Sequence, residues 1–246
     1  MATSVLPALS SKQKQRPGVL YPHAQWWFLL CMVATWVGFS QSYFAVIRTE
    51  PLLHHIHGAL MGGWIATLIV QPLLYQRNRI KLHRTLGRWA VYLLVPAIVL
   101  CGFLMVRSML HDTHLPPFIV NHLGFLDVAS LIQFPVFVAL AVIYGRNVHL
   151  HARFIVCTVL LLVPPALARA TQLLAFLHWP FAVHVNVAVG LMSLVLLLLI
   201  VDDARKGKVY PPYPVAFVIN TVVCVCANFA NGWGWWHALT GVIRGA

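Results

Sequence analysis

The sequence predicts an all-α, polytopic membrane protein, a helix bundle of seven transmembrane helices. Three observations predict it. The chain of 246 residues is 60% hydrophobic and only 9% charged, whereas a soluble domain of this size carries about a quarter charged residues. Several apolar runs approach or exceed the roughly 18–20 residues needed to cross about 30 Å of hydrocarbon. These runs do not alternate apolar and polar residues, as barrel strands do.

The elements follow in order. Residues 1–22 form a short basic tail with Lys12, Lys14 and Arg16, without the apolar core of a signal peptide. Residues 23–246 form one transmembrane domain, with spans over about 24–47, 52–75, 88–110, 118–144, 154–178, 180–201 and 214–238. Pro51 separates the first two spans, and Pro116-Pro117 opens the fourth. Pro180 opens the sixth, and Pro211-Pro212 with Pro214 introduces the seventh. The remaining junctions are charged.

Lysine and arginine divide unevenly between the two sides. The tail, the run Arg77, Arg79, Lys81, Arg84 and Arg88, the pair Arg146 and Arg153, and the group Arg205, Lys206 and Lys208 share one side. Arg48, Arg107 and Arg244 share the other, and Arg169 lies within span five. The positive-inside rule then places the amino terminus in the cytoplasm and the carboxyl terminus outside, in a bacterial inner membrane. The same rule accounts for the net charge of +12, so the lipid bilayer, and not nucleic acid, is the expected partner. Cys31, Cys101, Cys157, Cys224 and Cys226 all fall in apolar segments, with neither disulfide nor zinc spacing, and no CxxCH occurs.

Spans 2–3 and 4–5 read as a repeated hairpin, 52–110 and 118–178. Arg-Asn-Arg-Ile-Lys-Leu-His83-Arg in the first matches Gly-Arg-Asn-Val-His-Leu-His151-Ala-Arg in the second. Repeated hairpins are a common way to build membrane bundles.

Histidine carries the chemistry. Nine of the thirteen fall on the exoplasmic side, namely His54, His55, His57, His111, His114, His122, His178, His184 and His237. His57, His122 and His184 each follow the start of a span by four or five residues, which is roughly 6–8 Å of depth at 1.5 Å per residue. Imidazole is the commonest metal ligand, and two imidazoles from facing helices suit a six-coordinate b-type haem. His57 and His122 are the first choice for that pair. Gly58, Gly62 and Gly124 beside them would let a flat macrocycle approach, although Gly58 and Gly62 also satisfy a helix-packing spacing. His184 or His54 could join them in a copper or iron site. His237, among Trp233, Trp235 and Trp236, fits an aromatic belt. On the cytoplasmic side His83 and His151 open spans three and five and form a second candidate pair, with His23 and His149 nearby. Asp127 and Arg169 each stand nine residues from an outer end and are expected to pair, since neither tolerates lipid alone. Arg169 could otherwise neutralise a haem propionate. Asn220, Cys224, Asn228 and Asn231 follow helical spacing and mark an inward face of span seven.

Lys81-Leu82-His83-Arg84-Thr85-Leu86-Gly87 is similar to the start of the third core helix in the di-haem, ascorbate-reducible transmembrane cytochromes b. That resemblance implies one haem on His57 and His122 and a second on His83 and His151. The chain departs from the family at Gly87, where those proteins carry histidine. Leu82 to Arg88, His151-Ala-Arg153 and Pro165-Ala-Leu-Ala-Arg169 resemble uncharacterised bacterial polytopic membrane proteins related to haem-copper oxidase maturation factors. The residues and resemblances together give three expectations. The first is a b-type cytochrome in membrane electron transfer, an oxidoreductase subunit linked to quinone or a respiratory complex. The second is a haem- or copper-handling assembly factor for an oxidase. The third is a membrane di-metal oxygenase, ranked lower because the chain lacks HxxxH. A retinal protein is excluded, because all five lysines lie in the tail or loops.

Overall fold

The computed structural model describes residues 21–174, 176 and 178–245. The tail expected over 1–22 therefore lies outside the described residues up to residue 20. Among the described residues the chain is helical, without strands. The helices are α1 (Ala24–Gly38), α2 (Leu52–Gln76), α3 (Ile80–Leu110), α4 (Pro117–Ile143), α5 (Val148–Gln172), α6 (Phe181–Arg205), α7 (Pro212–Ala227) and α8 (Gly234–Arg244). Helices α2 to α6 are long and apolar enough to cross a membrane. Helices α1 and α7 are apolar but have only 15 and 16 residues, which is about 22–24 Å of rise.

Prolines set many of the starts. Pro51, Pro116 and Pro180 stand at the N-caps of α2, α4 and α6, and Pro117 and Pro212 open α4 and α7. A proline costs nothing there, because the first helical N–H groups have no carbonyl to bond. The α5 cap is a side chain: the Asn147 amide oxygen accepts from the His149 and Leu150 N–H groups.

Several boundaries differ from the sequence expectation. Helix α1 ends at Gly38, not 47, and a 3-10 turn over Phe44–Val46 follows before α2. Helix α3 begins at Ile80, not 88, so most of the basic run is helix, and the turn from α2 is only Arg77-Asn78-Arg79. Asn78 takes φ 58°, a left-handed value that asparagine tolerates in tight turns. Long basic side chains on a first helical turn keep their heads in water while their stems cover apolar surface, so charge there did not signal a loop. Helix α5 starts at Val148 and ends at Gln172, which makes Arg153 a helix residue. The seventh span stops at Ala227, and a 3-10 turn over Ala230–Gly232 leads into α8. Asn228, Asn231, Gly232 and Gly234 supply the turn chemistry there.

Two long helices carry a defect. In α3 a π turn spans Ala90–Leu94, directly before Pro96. Pro96 has no N–H for the carbonyl four residues back and its ring crowds that carbonyl; the wider turn accommodates both. In α5 the helix is interrupted at Val163, ahead of Pro164-Pro165.

The core lies where α2, α3, α4, α5, α6 and α7 meet, with Phe28 of α1 packed into it. Trp64 of α2 is buried edge-on against Phe134 of α4, with ring centres 5.2 Å apart. Its indole N–H donates to Thr158 Oγ1 of α5 at 3.2 Å. At the end of α1, a Cβ on Gly38 would stand 2.1 Å from the Ala166 carbonyl oxygen, so α1 and α5 touch backbone to backbone. Such close approach is how membrane helices gain van der Waals contact without a hydrophobic drive. The bundle has two ends, a basic end with the α2–α3, α4–α5 and α6–α7 turns, and a histidine-rich end opposite.

Candidate functional site

His83 is the fourth residue of α3 and His151 the fourth of α5. In each hairpin the imidazole turns back to the preceding helix. His151 Nδ1 lies 2.8 Å from the Ala141 carbonyl oxygen of α4, and His83 Nδ1 lies a longer 3.4 Å from the Gln71 carbonyl oxygen of α2. A carbonyl can only accept, so Nδ1 is the donor in both rings, and in the neutral imidazole Nε2 is then the acceptor. The two rings come together with centres 6.4 Å apart and planes crossed at 70°. Ring centres about 4.5–7 Å apart are those of an edge-on aromatic pair, close enough for both imidazoles to bear on one bound group. The Nδ1–H contact to a backbone carbonyl is also the usual outer-shell partner of a ligating histidine.

The surroundings of this pair are polar and packed. Gln71 donates its amide to the His83 carbonyl oxygen at 3.2 Å, and its buried Oε1 has no donor among the described residues. Tyr75 stands 6.0 Å from the His83 ring. Gly87, one turn beyond His83, faces Gln71, whose Nε2 lies 3.4 Å from where a Cβ would be.

Two residues after His151, on another face of α5, Arg153 is 2% exposed and grips Asp203 of α6, itself 1% exposed. Arg153 Nε donates to Asp203 Oδ2 at 2.8 Å, Nη2 donates to Oδ1, and Nη1 donates to the His149 carbonyl oxygen at 3.0 Å. The Tyr210 ring covers the guanidinium at 4.2 Å, and His149 stacks on Tyr210 with ring centres 4.9 Å apart. Tyr21 and Tyr213 share a hydrogen bond of 2.8 Å beside it. A bidentate, desolvated pair of this kind fixes geometry. It lies outside the sequence expectations, which put Arg153 in a loop and gave Asp203 no role. Its one sequence signal is acidic: Asp202 and Asp203 close an apolar run in a chain with only five acids.

The histidine-rich end is arranged differently, with separate partners for its imidazoles. His54 contacts Glu50, and His55 Nδ1 shares a 2.7 Å hydrogen bond with the Tyr43 hydroxyl. The Thr171 hydroxyl donates to the Ala168 carbonyl oxygen, so His184 Nδ1 donates to Thr171 Oγ1, at 2.9 Å. His57 is half-buried, and the charged groups that bear on it are His54 and Arg169. His122 is 5% exposed, lies against the Ala227 backbone, and its Nε2 has no hydrogen-bond partner among the described residues. Beside it Asn121 accepts from the Trp236 indole N–H at 3.0 Å and donates to Asn231 at 2.9 Å, which docks α8 onto α4.

Among the described residues, ring pairing joins His83 to His151 and none joins His57 to His122. No three His, Cys, Asp or Glu side chains converge among the described residues, so the three-imidazole site with His184 or His54 is not assembled. Arg169 stacks on Phe39 at 4.6 Å and donates to the Pro165 carbonyl oxygen at 3.0 Å. It stands three residues from the end of α5 while Asp127 stands ten residues inside α4, and they influence each other without closing an ion pair. Arg169 is also eighteen residues from His151, about 27 Å along α5. It therefore cannot neutralise a group held by the basic-end pair. In α7 the polar stripe points at α6: Asn220 donates to Ser193, and Asn228 and Cys224 donate to Asn186.

No family model, curated protein or solved structure matches this chain.

Proposed function

We propose that this chain is a membrane electron carrier in which His83 and His151 would together hold one iron group, as haem b or otherwise, which would supply one-electron chemistry. One observation carries the reading: the two rings sit 6.4 Å apart, each with Nδ1 against a carbonyl of the preceding helix. The protein's part is to hold both imidazoles in one tautomer and to set their separation through two helical hairpins. Seven crossings, with the basic end in the cytoplasm of a bacterial cell, follow from the distribution of lysine and arginine. Quinone or a respiratory complex is the natural partner for such a carrier. The outer residues His57 and His122 then form a separate level. His57 lies fourteen residues from Gln71 on α2, about 21 Å from the inner pair.

A second reading rests on the same pair. Only two imidazoles converge, so a bare copper or iron ion would keep positions open for transfer to another protein, as an oxidase assembly factor requires.

Purified protein tests both. A carrier shows sharp reduced-haem absorption bands, and His83→Ala and His151→Ala each abolish them, while His178→Ala leaves them unchanged. Colourless protein holding one copper per chain, lost in the same two variants, selects the assembly factor. Protein that carries neither haem nor stoichiometric metal overturns both readings. Loss of haem in His57→Ala or His122→Ala, with His83→Ala unaffected, moves the centre to the opposite end.

A further inference from the structure

Helices α2 and α3 do not close against each other along their whole length. Between them runs a groove of about 390 Å³ lined by Leu60, Thr67, Leu86, Trp89, Leu93 and Ala97, among others. Its one hydroxyl is already spent, since Thr67 Oγ1 donates to the Gly63 carbonyl oxygen at 2.8 Å. Apart from the Trp89 indole N–H, the groove therefore offers apolar contact. Leu86 and Ala97 are eleven residues apart, about 16 Å along α3, which is close to the depth of one leaflet of a 30 Å hydrocarbon core. Trp89 is 61% and Leu93 57% exposed, so the groove opens outward from the bundle and not into its core.

The end of this groove is not neutral. The same two helices are joined by the turn Arg77-Asn78-Arg79, and Lys81 follows in the first turn of α3. All four are exposed. None of these cations has a carboxylate to pair with. Glu50 is taken by His54, Asp202 by Lys206 and Asp203 by Arg153. Asp112 accepts from the His114 N–H at the opposite end, and Asp127 lies within α4. Those are all five acids in the chain. The positive-inside rule accounts for cations at this end, and Lys81 stands five residues before Leu86, the groove's nearest lining residue on α3, about 7.5 Å along the helix.

We infer that the α2–α3 groove binds one anionic phospholipid, with an acyl chain along Leu60, Trp89, Leu93 and Ala97 and the phosphate on Arg77, Arg79 and Lys81. Basic pockets at the cytoplasmic ends of membrane helices hold acidic headgroups in this way. The site is independent of the histidine pair and stands whether or not iron binds.

Native mass spectrometry of the full chain in mild detergent tests it, with phosphatidylglycerol and phosphatidylcholine added in equal amounts. One phosphatidylglycerol should survive activation that strips phosphatidylcholine. R77Q/R79Q should reduce that adduct about tenfold and leave thermal unfolding unchanged. Ala97→Phe, which fills the groove, should remove it with both arginines intact. Equal retention of the two lipids would make the groove ordinary annular surface and overturn the proposal. So would an unchanged phosphatidylglycerol adduct in either variant, or a neutral isoprenoid adduct in its place.

Discussion

The two ends of the bundle solve the same problem in opposite ways. Both must hold polar side chains where helices meet lipid headgroups. The basic end has few histidines, and it knits them together: His83 against His151, His149 on Tyr210, Tyr210 over Arg153, and Arg153 on Asp203. The histidine-rich end has more than twice as many, and it disperses them onto Glu50, Tyr43, Thr171 and backbone. The number of histidines on a side therefore does not say which rings meet: His83 and His151 meet with each imidazole turned onto a backbone acceptor, Gln71 or Ala141.

The largest effect is expected where the basic end is most tightly bound. Asp203→Asn or Arg153→Gln leaves one buried charge without its partner, which costs about 3–5 kcal/mol. Each variant should give a sharply lower unfolding temperature in detergent or very low expression. Replacing both by apolar residues of similar volume should restore much of the loss, because no stranded charge remains. Losses that simply add would show that the two residues act separately and that the basic end is not held by their contact.

Much of the bundle was legible in the sequence, because apolar runs and prolines report directly on where a helix can lie. The start of α3 was not. The run from Lys81 to Arg88 reads as loop by charge, yet exposed basic side chains are compatible with the first turns of a helix whose Lys81, Arg84 and Arg88 reach solvent. The end of the seventh span was missed for the opposite reason, since Trp233, Trp235 and Trp236 extend the apolar signal past a turn made by asparagine and glycine. Of the candidate site, the repeated His83 and His151 were visible through their matching junctions. Their contact was not, because ring separation depends on how two hairpins pack. Arg153 and Asp203 are fifty residues apart, each near a basic loop, and nothing local distinguishes a paired charge from a solvated one.

The histidine-rich end depends more on close backbone packing, and a smaller change tests it. Gly38→Ala puts a methyl group 2.1 Å from the Ala166 carbonyl oxygen. That neighbour is backbone and cannot swing aside, so α1 must move off α5. Overpacking of this kind costs about 1–3 kcal/mol. Thermal unfolding should shift down by that amount, while any metal bound at the basic end stays in place. Loss of the metal in Gly38→Ala would mean that the two ends are coupled through α5, against the contrast drawn between them.

The smallest effect is expected at a single dispersed histidine. Thr171→Val keeps the shape of the side chain and removes the oxygen that accepts from His184 Nδ1. His184 is 6% exposed, so its N–H would lose a partner with little water to replace it. A cost of about 1 kcal/mol is expected, and Thr171→Ser, which keeps the oxygen, should recover most of it. The Trp179 ring, 5.6 Å from His184, gives an optical handle on whether the imidazole stays in place. If Thr171→Val instead destabilises as strongly as Asp203→Asn, the histidine-rich end is knit as tightly as the basic end. Its imidazoles would then have to be considered as a set and not one by one.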